Sequence, residues 1–156
     1  MNAMAKAPQV AQAMSALQSD NAWTIGKQIE LCEIPAPPFK EAVRAEAYKK
    51  QLIALGVANV RIDKEGNVLG EILGSRPGPT VMLSSHLDTV FPEGTDVRVK
   101  REGTRLTAPG IGDDCRGLAV TLAITRQIVS SKIPIAGKLL VVATVGEDGP
   151  GNLRGV

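Results

Sequence analysis

Hydrophobic residues change their spacing along the chain, recurring first at helical intervals and later in short continuous runs. Helical spacing over residues 23–31 predicts a helix that Asp20 or Asn21 caps and that ends before Pro35. The same spacing over residues 41–55 predicts a second helix, with Gly56 placed to end it. The first third of the chain is therefore predicted to be helical.

Short apolar runs after residue 56 predict strands. Two pairs of runs flank glycine-containing turns and predict hairpins. Two more runs flank an apolar helix predicted over residues 118–129; we expect the first to be buried and the second to be buried on both faces. A strand, helix and strand in this order predict an α/β fold with a mixed, largely parallel sheet and helices on both faces. The predicted strands are 60–63, 68–73, 80–85, 96–100, 104–107 and 138–145.

Length and composition narrow the function classes. A chain of 156 residues with 44% hydrophobic content fits one folded domain and disfavours disorder. The formal net charge is only +2, and 3% of the residues are aromatic, so a nucleic-acid-binding face is not expected. The basic residues near Arg98 alternate with valines, which favours the solvated face of a strand.

Targeting signals and cysteines suggest a cytoplasmic protein. No apolar run approaches the roughly 20 residues of a membrane-spanning helix, so no membrane partner is expected. Residues 1–19 lack the apolar centre of a secretory signal and form an N-terminal extension, poorly ordered or helical, before a domain over 20–156. Cys32 and Cys115 are too few for a disulfide framework and fit a reducing compartment.

The first candidate site residues follow the predicted strand 80–85. His86 and Asp88 lie two positions apart, which in an extended backbone places both side chains on one side. This spacing allows an imidazole to bind a metal while the carboxylate orients its other nitrogen. A histidine whose hydrogen bonds are simply satisfied is the alternative. His86 is the only histidine of the chain, which favours the metal-binding hypothesis.

A second acidic cluster precedes the helix predicted at 118–129. Asp113 or Asp114 can cap this helix. The other carboxylate is not needed for capping, and adjacent carboxylates repel each other unless a cation lies between them. The same negative charge opposes phosphate binding by the neighbouring glycines, so a nucleotide-binding loop is disfavoured. For Cys115 we expect a small buried side chain and not a nucleophile.

A third acidic cluster follows the predicted strand 138–145. Glu147 and Asp148 fit an ordinary acidic turn, but they also fit a hydrolytic metal site. Such a site needs one carboxylate to hold a metal and another to accept a proton from water. Together with His86, Asp88 and Asp113, they provide an imidazole and hard oxygen ligands, a set suited to zinc, cobalt or manganese.

These three clusters together resemble a known family. The segments SHLDTV at 85–90, GIGDD at 110–114 with Gly117, and TVGEDG at 144–149 are similar in order and separation to the co-catalytic zinc metallopeptidases and deacylases. That family includes aminoacylase, acetylornithine deacetylase, succinyl-diaminopimelate desuccinylase, carboxypeptidase G and tripeptidase. The resemblance covers residue 20 to the end of the chain.

The resemblance implies a role for five side chains and two divalent metal ions. His86 binds one metal, Asp113 bridges both and Asp148 binds the second. Asp88 orients His86, and Glu147 acts as the general base in hydrolysis of a peptide or an N-acyl amino acid. The metals are expected to be zinc, with cobalt or manganese as alternatives.

The chain departs from the family pattern in several ways. Asp148 stands where the family usually has Glu, and Cys115 and Arg116 stand where many members have Lys. The family also uses a downstream carboxylate, a distant histidine and an inserted lid domain, none of which is expected within residues 1–156. The resemblance therefore implies the N-terminal part of a catalytic domain, incomplete at its C-terminus. Because each metal keeps only two of its ligands, with Asp113 shared, we expect weakened metal binding and activity.

Two further expectations follow. If the strand 138–145 is interior in the family fold, a chain ending soon after it exposes an apolar sheet edge, which favours oligomers or association with a partner. The alternative to an enzyme is a noncatalytic remnant or pseudoenzyme that retains the α/β scaffold and acts only by binding a partner.

Overall fold

The computed structural model describes residues 7–156, and its helices follow the predicted pattern. The helices predicted over 23–31, 41–55 and 118–129 are confirmed with boundaries shifted by a few residues. Residues 8–19 of the predicted N-terminal extension form one more helix, and residues 1–6 lie outside the described part. The helices are α1 (Pro8–Ser19), α2 (Asn21–Cys32), α3 (Ala42–Ala54) and α4 (Cys115–Ser130).

Four strands form the main sheet, in the order β1-β2-β6-β3. The first predicted hairpin is confirmed as the antiparallel pair β1–β2, and β2 also pairs antiparallel with β6. Parallel pairing is confined to β3 and β6, which α4 connects. The mixed α/β fold is therefore confirmed. The strands are β1 (Ala58–Ile62), β2 (Val68–Leu73), β3 (Arg76–His86), β4 (Lys100–Glu102), β5 (Arg105–Thr107) and β6 (Ala136–Thr144).

One face of the sheet carries the hydrophobic core. Leu31 of α2, Leu52 of α3 and Leu118 of α4 share one buried cluster with Val141 and Ala143, which alternate along β6 and so point to the same face. The opposite face, where helices were also expected, exposes other apolar side chains. Met82 and Leu73 are each 62% exposed.

The predictions that strand 80–85 is buried and that strand 138–145 is buried on both faces were wrong in part. β3 is an edge strand, and its side chains are exposed or half-buried until Ser85 and His86. β6 is buried only in its second half, from Val141 onward. The expected open edge is also misplaced, because β6 lies between β2 and β3. The two edge strands of the sheet are β1 and β3.

The second hairpin is confirmed as β4–β5 but begins later than predicted. The carboxylate of Asp96 accepts a hydrogen bond from the backbone N–H of Arg98, 3.1 Å away, and this local turn competes with strand pairing. Arg98 therefore lies before the strand, with its guanidinium against Asp96. The turn lies at Gly103, whose φ of 60° is left-handed. No helix within residues 7–156 has the length and apolar character needed to span a bilayer.

Candidate metal centre

Parallel pairing of β3 and β6 brings two of the predicted site segments to one edge of the sheet. His86 ends β3 and pairs in register with Thr144, the last residue of β6. The backbone segments that follow β3 and β6 therefore leave the sheet side by side. Asp88 lies in the first segment and Glu147 in the second. Ligand sites in open α/β sheets form at this carboxyl edge. The N-terminus of α4 brings the third segment to the same place.

His86 is the centre of this group of side chains. Its Nε2 lies 2.9 Å from Oδ1 of Asp113 and 4.0 Å from Oε2 of Glu147. Its Nδ1 lies 3.1 Å from the backbone carbonyl oxygen of Asp88 and 3.6 Å from the Asp88 carboxylate. The carbonyl is therefore the hydrogen-bond acceptor for Nδ1. Only 11% of the side chain is exposed.

The carboxylate of Asp88 ties the β3 segment to the β6 segment. Its two oxygens accept hydrogen bonds from the backbone N–H groups of Glu147 and Asp148, at 3.0 and 2.9 Å. Burial disfavours the ionised carboxylate, but the nearby His86 imidazole and the hydrogen bonds from these two N–H groups outweigh burial and lower the pKa of Asp88 to about 2. Asp88 therefore remains ionised although it is 1% exposed.

The two adjacent aspartates before α4 have different surroundings. Asp114 caps the helix by accepting from the Gly117 N–H at 2.9 Å, as the capping hypothesis allowed, and its second oxygen accepts from the His86 N–H at 3.0 Å. Burial raises the pKa of Asp114. Asp113, joined to it by a cis peptide bond, is 82% exposed and contacts the His86 ring. Asp113 is thus the carboxylate that does not cap the helix.

The other four predicted site residues all lie near the imidazole of His86. Ligand atoms of His86, Asp88 and Asp148 lie within 4.8 Å of one another, and Asp113 and Glu147 approach the same imidazole. Burial, together with the nearby carboxylates, raises the pKa of Asp148. Burial opposes protonation of the imidazole, but Asp88 and Asp113 outweigh it and raise the pKa of His86 to about 9. This concentration of negative charge around one imidazole is the environment that a cation stabilises.

The donor set fits a divalent metal ion. Two ligands of one tetrahedral zinc, each about 2.0–2.2 Å from the ion, lie about 3.3 Å apart. His86 Nε2 and Asp113 Oδ1, which are 2.9 Å apart at hydrogen-bond distance, would need to separate by about 0.4 Å to reach that spacing. An open depression of about 290 Å³, bounded by Ser84, His86 and Glu147, lies beside these atoms and leaves room for a small ligand.

Sequence reasoning missed Arg44. This residue occupies a core position of α3, one and two helical turns before the buried Tyr48 and Leu52, and it is itself fully buried. A basic residue on the apolar face of a predicted helix was the signal that could have found it. Its guanidinium donates to the carbonyl of Leu87, the residue between His86 and Asp88, at 2.7 Å.

Comparison with known proteins gives the family. Residues 67–153, more than half of the chain, match the profile of peptidase family M28. This chain belongs to peptidase family M28. The matched residues include His86, Asp113 and Asp148. Together with the relatives described next, this match confirms the resemblance to the co-catalytic zinc metallopeptidases. Arg44 lies outside the matched residues of this M28 chain.

Relatives of the M28 chain are peptidases. Carboxypeptidase G2 from Pseudomonas sp. (strain RS-16) is 32% identical over 84 residues, which are 53% of this chain and 20% of the relative. Aminopeptidase PepT from Bacillus cereus has 26% identity and a TM-score of 0.69, and a Staphylococcus aureus tripeptidase has 27% and 0.65. Each structural match covers 80% of this chain and 36% of the other. The M28 chain thus spans about a third or less of each relative's length.

Proposed function

We propose that this chain carries the metal-binding core of a hydrolase that cleaves the amide bond of a peptide or an N-acyl amino acid. The observation that supports this function is that Asp113 and Asp148, from two distant segments, both approach the imidazole of His86 in a third. Membership of a peptidase family and the tripeptidase and carboxypeptidase relatives support the substrate class.

In this proposal, His86 and Asp113 would hold one divalent ion, and Asp113 and Asp148 would hold a second. Zinc suits an imidazole combined with carboxylates, and cobalt or manganese would fit the same ligands. When bound, zinc would supply a Lewis acid that polarises the substrate carbonyl and acidifies water. Asp88 holds the ligand geometry, because its backbone carbonyl accepts from His86 and its carboxylate binds the N–H groups of Glu147 and Asp148.

Glu147 is the proposed general base. Its carboxylate is 45% exposed and borders the open depression, whereas Asp88 is buried and fully hydrogen-bonded. An attacking water in the depression can therefore reach Glu147, which takes its proton as the water adds to the amide carbonyl. The same carboxyl group then returns the proton to the leaving amine. Proton abstraction needs an acceptor that does not itself hold the metal.

Metal binding and hydrolysis are tested together in matched variants. We expect Asp113→Ala to lose zinc by metal analysis and calorimetry, because it removes the ligand shared by both ions. Glu147→Ala should retain zinc but lose turnover of a tripeptide or an acetyl-amino acid by a factor of 10² to 10⁴. Glu65→Ala, at an exposed turn outside the site, is the control.

Three outcomes decide the proposal. Zinc retained by Asp113→Ala would show that the ligand assignment is wrong. Equal metal loss in Glu147→Ala would remove the general-base assignment. Zinc binding by the parent chain with no turnover of either substrate class would support the noncatalytic alternative.

A further inference from the structure

Arg44 is a buried charge that the proposed chemistry does not use. Its side chain is fully buried, yet no Asp or Glu within residues 7–156 forms an ion pair with it. Burial lowers the pKa of its guanidinium. A buried charge is costly, and apolar side chains of similar volume often serve packing equally well. Its hydrogen bonds therefore indicate a role other than filling space.

The guanidinium joins two segments of backbone through three carbonyl groups. Nε and Nη2 donate to the carbonyl of Ile34, at 2.9 and 2.6 Å, and Nη2 also approaches the carbonyl of Cys32. Nη1 donates to the carbonyl of Leu87 at 2.7 Å. The planar guanidinium therefore fixes the end of α2 against the turn that follows β3, in a fork geometry that a lysine lacks.

Leu87 connects this fork to the candidate metal centre. Its N–H donates to the carbonyl of Thr144 at 2.7 Å, so both backbone polar groups of Leu87 are held. The next residue supplies the carbonyl that accepts from His86 Nδ1 and the carboxylate that binds the Glu147 and Asp148 N–H groups. A rotation of the peptide unit between Leu87 and Asp88 would displace both contacts.

We propose that Arg44 is a positioning residue for the candidate metal centre, because its hydrogen bond to the Leu87 carbonyl fixes the orientation of His86 and Asp88. The effect on metal binding rests on the proposed function. The effect on the orientation of the His86 imidazole is independent of the proposed function, because it depends only on hydrogen bonds within the chain. Removal of Arg44 releases the Leu87 carbonyl and lets the Asp88 carbonyl move away from Nδ1.

The first readout is zinc affinity of Arg44→Lys and Arg44→Met, measured by competition with a chromogenic chelator. Partners that orient a metal ligand typically contribute 10- to 100-fold to metal affinity. We expect a loss in that range for Arg44→Lys and a larger loss for Arg44→Met. Leu52→Val, a buried change on the same helix away from Leu87, is the matched control for lost stability. All variants are compared in the same sucrose-containing buffer, which favours the folded state.

The second readout is the imidazole of the metal-free chain. His86 is the only histidine, so its Nδ1 proton is assigned without ambiguity in a ¹⁵N-correlated NMR spectrum. In the parent chain and in Leu52→Val, the hydrogen bond to the Asp88 carbonyl should protect this proton from solvent exchange. In Arg44→Lys we expect exchange at least about 10-fold faster, since hydrogen-bond protection follows local opening.

The two readouts separate the two hypotheses. Unchanged Nδ1 exchange in Arg44→Lys overturns the positioning role, and so does an equal change in Leu52→Val, which would reflect stability alone. Faster exchange in Arg44→Lys, in a chain whose parent form binds no zinc, supports the positioning role and contradicts the metal centre. If both hold, Arg44→Lys shows faster exchange and weaker zinc binding while Leu52→Val shows neither.

Discussion

At its carboxyl end, the β3–β6 ladder pairs His86 with Thr144, and both side chains are buried; at its beginning, Arg76 pairs with Ala136 and the β3 side chains lie in solvent. The beginning is held mainly by the backbone ladder itself. The carboxyl end has, in addition, the buried carboxylate of Asp88 and the half-buried carboxylate of Asp114, which each accept two backbone N–H groups.

This difference shows that side chains help to hold the carboxyl end of the β3–β6 pair, whereas mainly the backbone ladder holds its beginning. Carboxylates that bind backbone N–H groups fix loops that no ladder reaches, and they keep negative charge close to His86. The exposed beginning has no such constraint. Substitutions should therefore have large effects on the free energy of unfolding at the carboxyl end and small effects at the beginning.

The largest effect is expected for Asp88→Ala. The substitution leaves the Glu147 and Asp148 N–H groups without an acceptor in a partly buried place, and each unpaired group costs up to about 1–3 kcal/mol. We expect the free energy of unfolding to fall by about 4 kcal/mol in urea titrations. Asp88→Asn keeps one carbonyl oxygen as an acceptor and should lose roughly half as much. Equal losses in the two variants would show that charge, and not the paired N–H groups, sets the stability.

The next largest effect is a pH dependence of stability in the chelator-treated chain. The pKa of His86 is raised from 6.5 to about 9, so the protonated ring stabilises the folded state. That stabilisation is complete below pH 6.5 and is lost as the pH rises through 9, with a total on the order of 3 kcal/mol. Urea midpoints across this range should decline in the parent chain. The same decline in His86→Gln would assign it to another group.

The carboxyl end of the β3–β6 ladder was also the part of the molecule that the sequence predicted best. His86, Asp113 and Asp148 follow predicted strands or precede a predicted helix, and the parallel ladder brings such positions together. How deeply β3 is buried could not be predicted from the sequence. An apolar run predicts a strand but does not say whether that strand is central or at the edge, because its neighbours depend on the order of strands in the sheet.

Hydrogen bonds to the backbone were equally hidden from the sequence. Asp88 was expected to orient His86 with its carboxylate, but its carbonyl is nearer to Nδ1, and the carboxylate binds the β6 segment. Arg44 acts on Leu87 across 43 residues of sequence. Contacts of a side chain with distant backbone have no periodicity, and so no spacing rule predicts them.

Two adjacent aspartates allow a third and smaller test. Asp114→Ala removes the cap of α4 and the acceptor for the His86 N–H, and should lower the free energy of unfolding by about 2 kcal/mol. At about pH 10, where the His86 ring is neutral and its contact with Asp113 is no longer an ion pair, Asp113→Ala, at an 82% exposed side chain, should change it by no more than about 0.5 kcal/mol. Thermal melts of the metal-free chain compare the two. Similar losses of stability in the two variants would contradict the assignment of the structural role to Asp114 alone.

The smallest effect on folding, and a distinct effect on association, is expected at the free edge of β3. Met82 is 62% exposed on this edge strand, and unpaired strand edges with apolar side chains favour pairing with another chain. Met82→Lys should change stability by no more than about 0.5 kcal/mol and reduce self-association in sedimentation velocity. Val43→Lys, at a 69% exposed position of α3, adds the same charge away from the edge and is the control. If both variants reduce association equally, net charge is the cause; if only Met82→Lys does, the open beginning of the ladder is the contact surface.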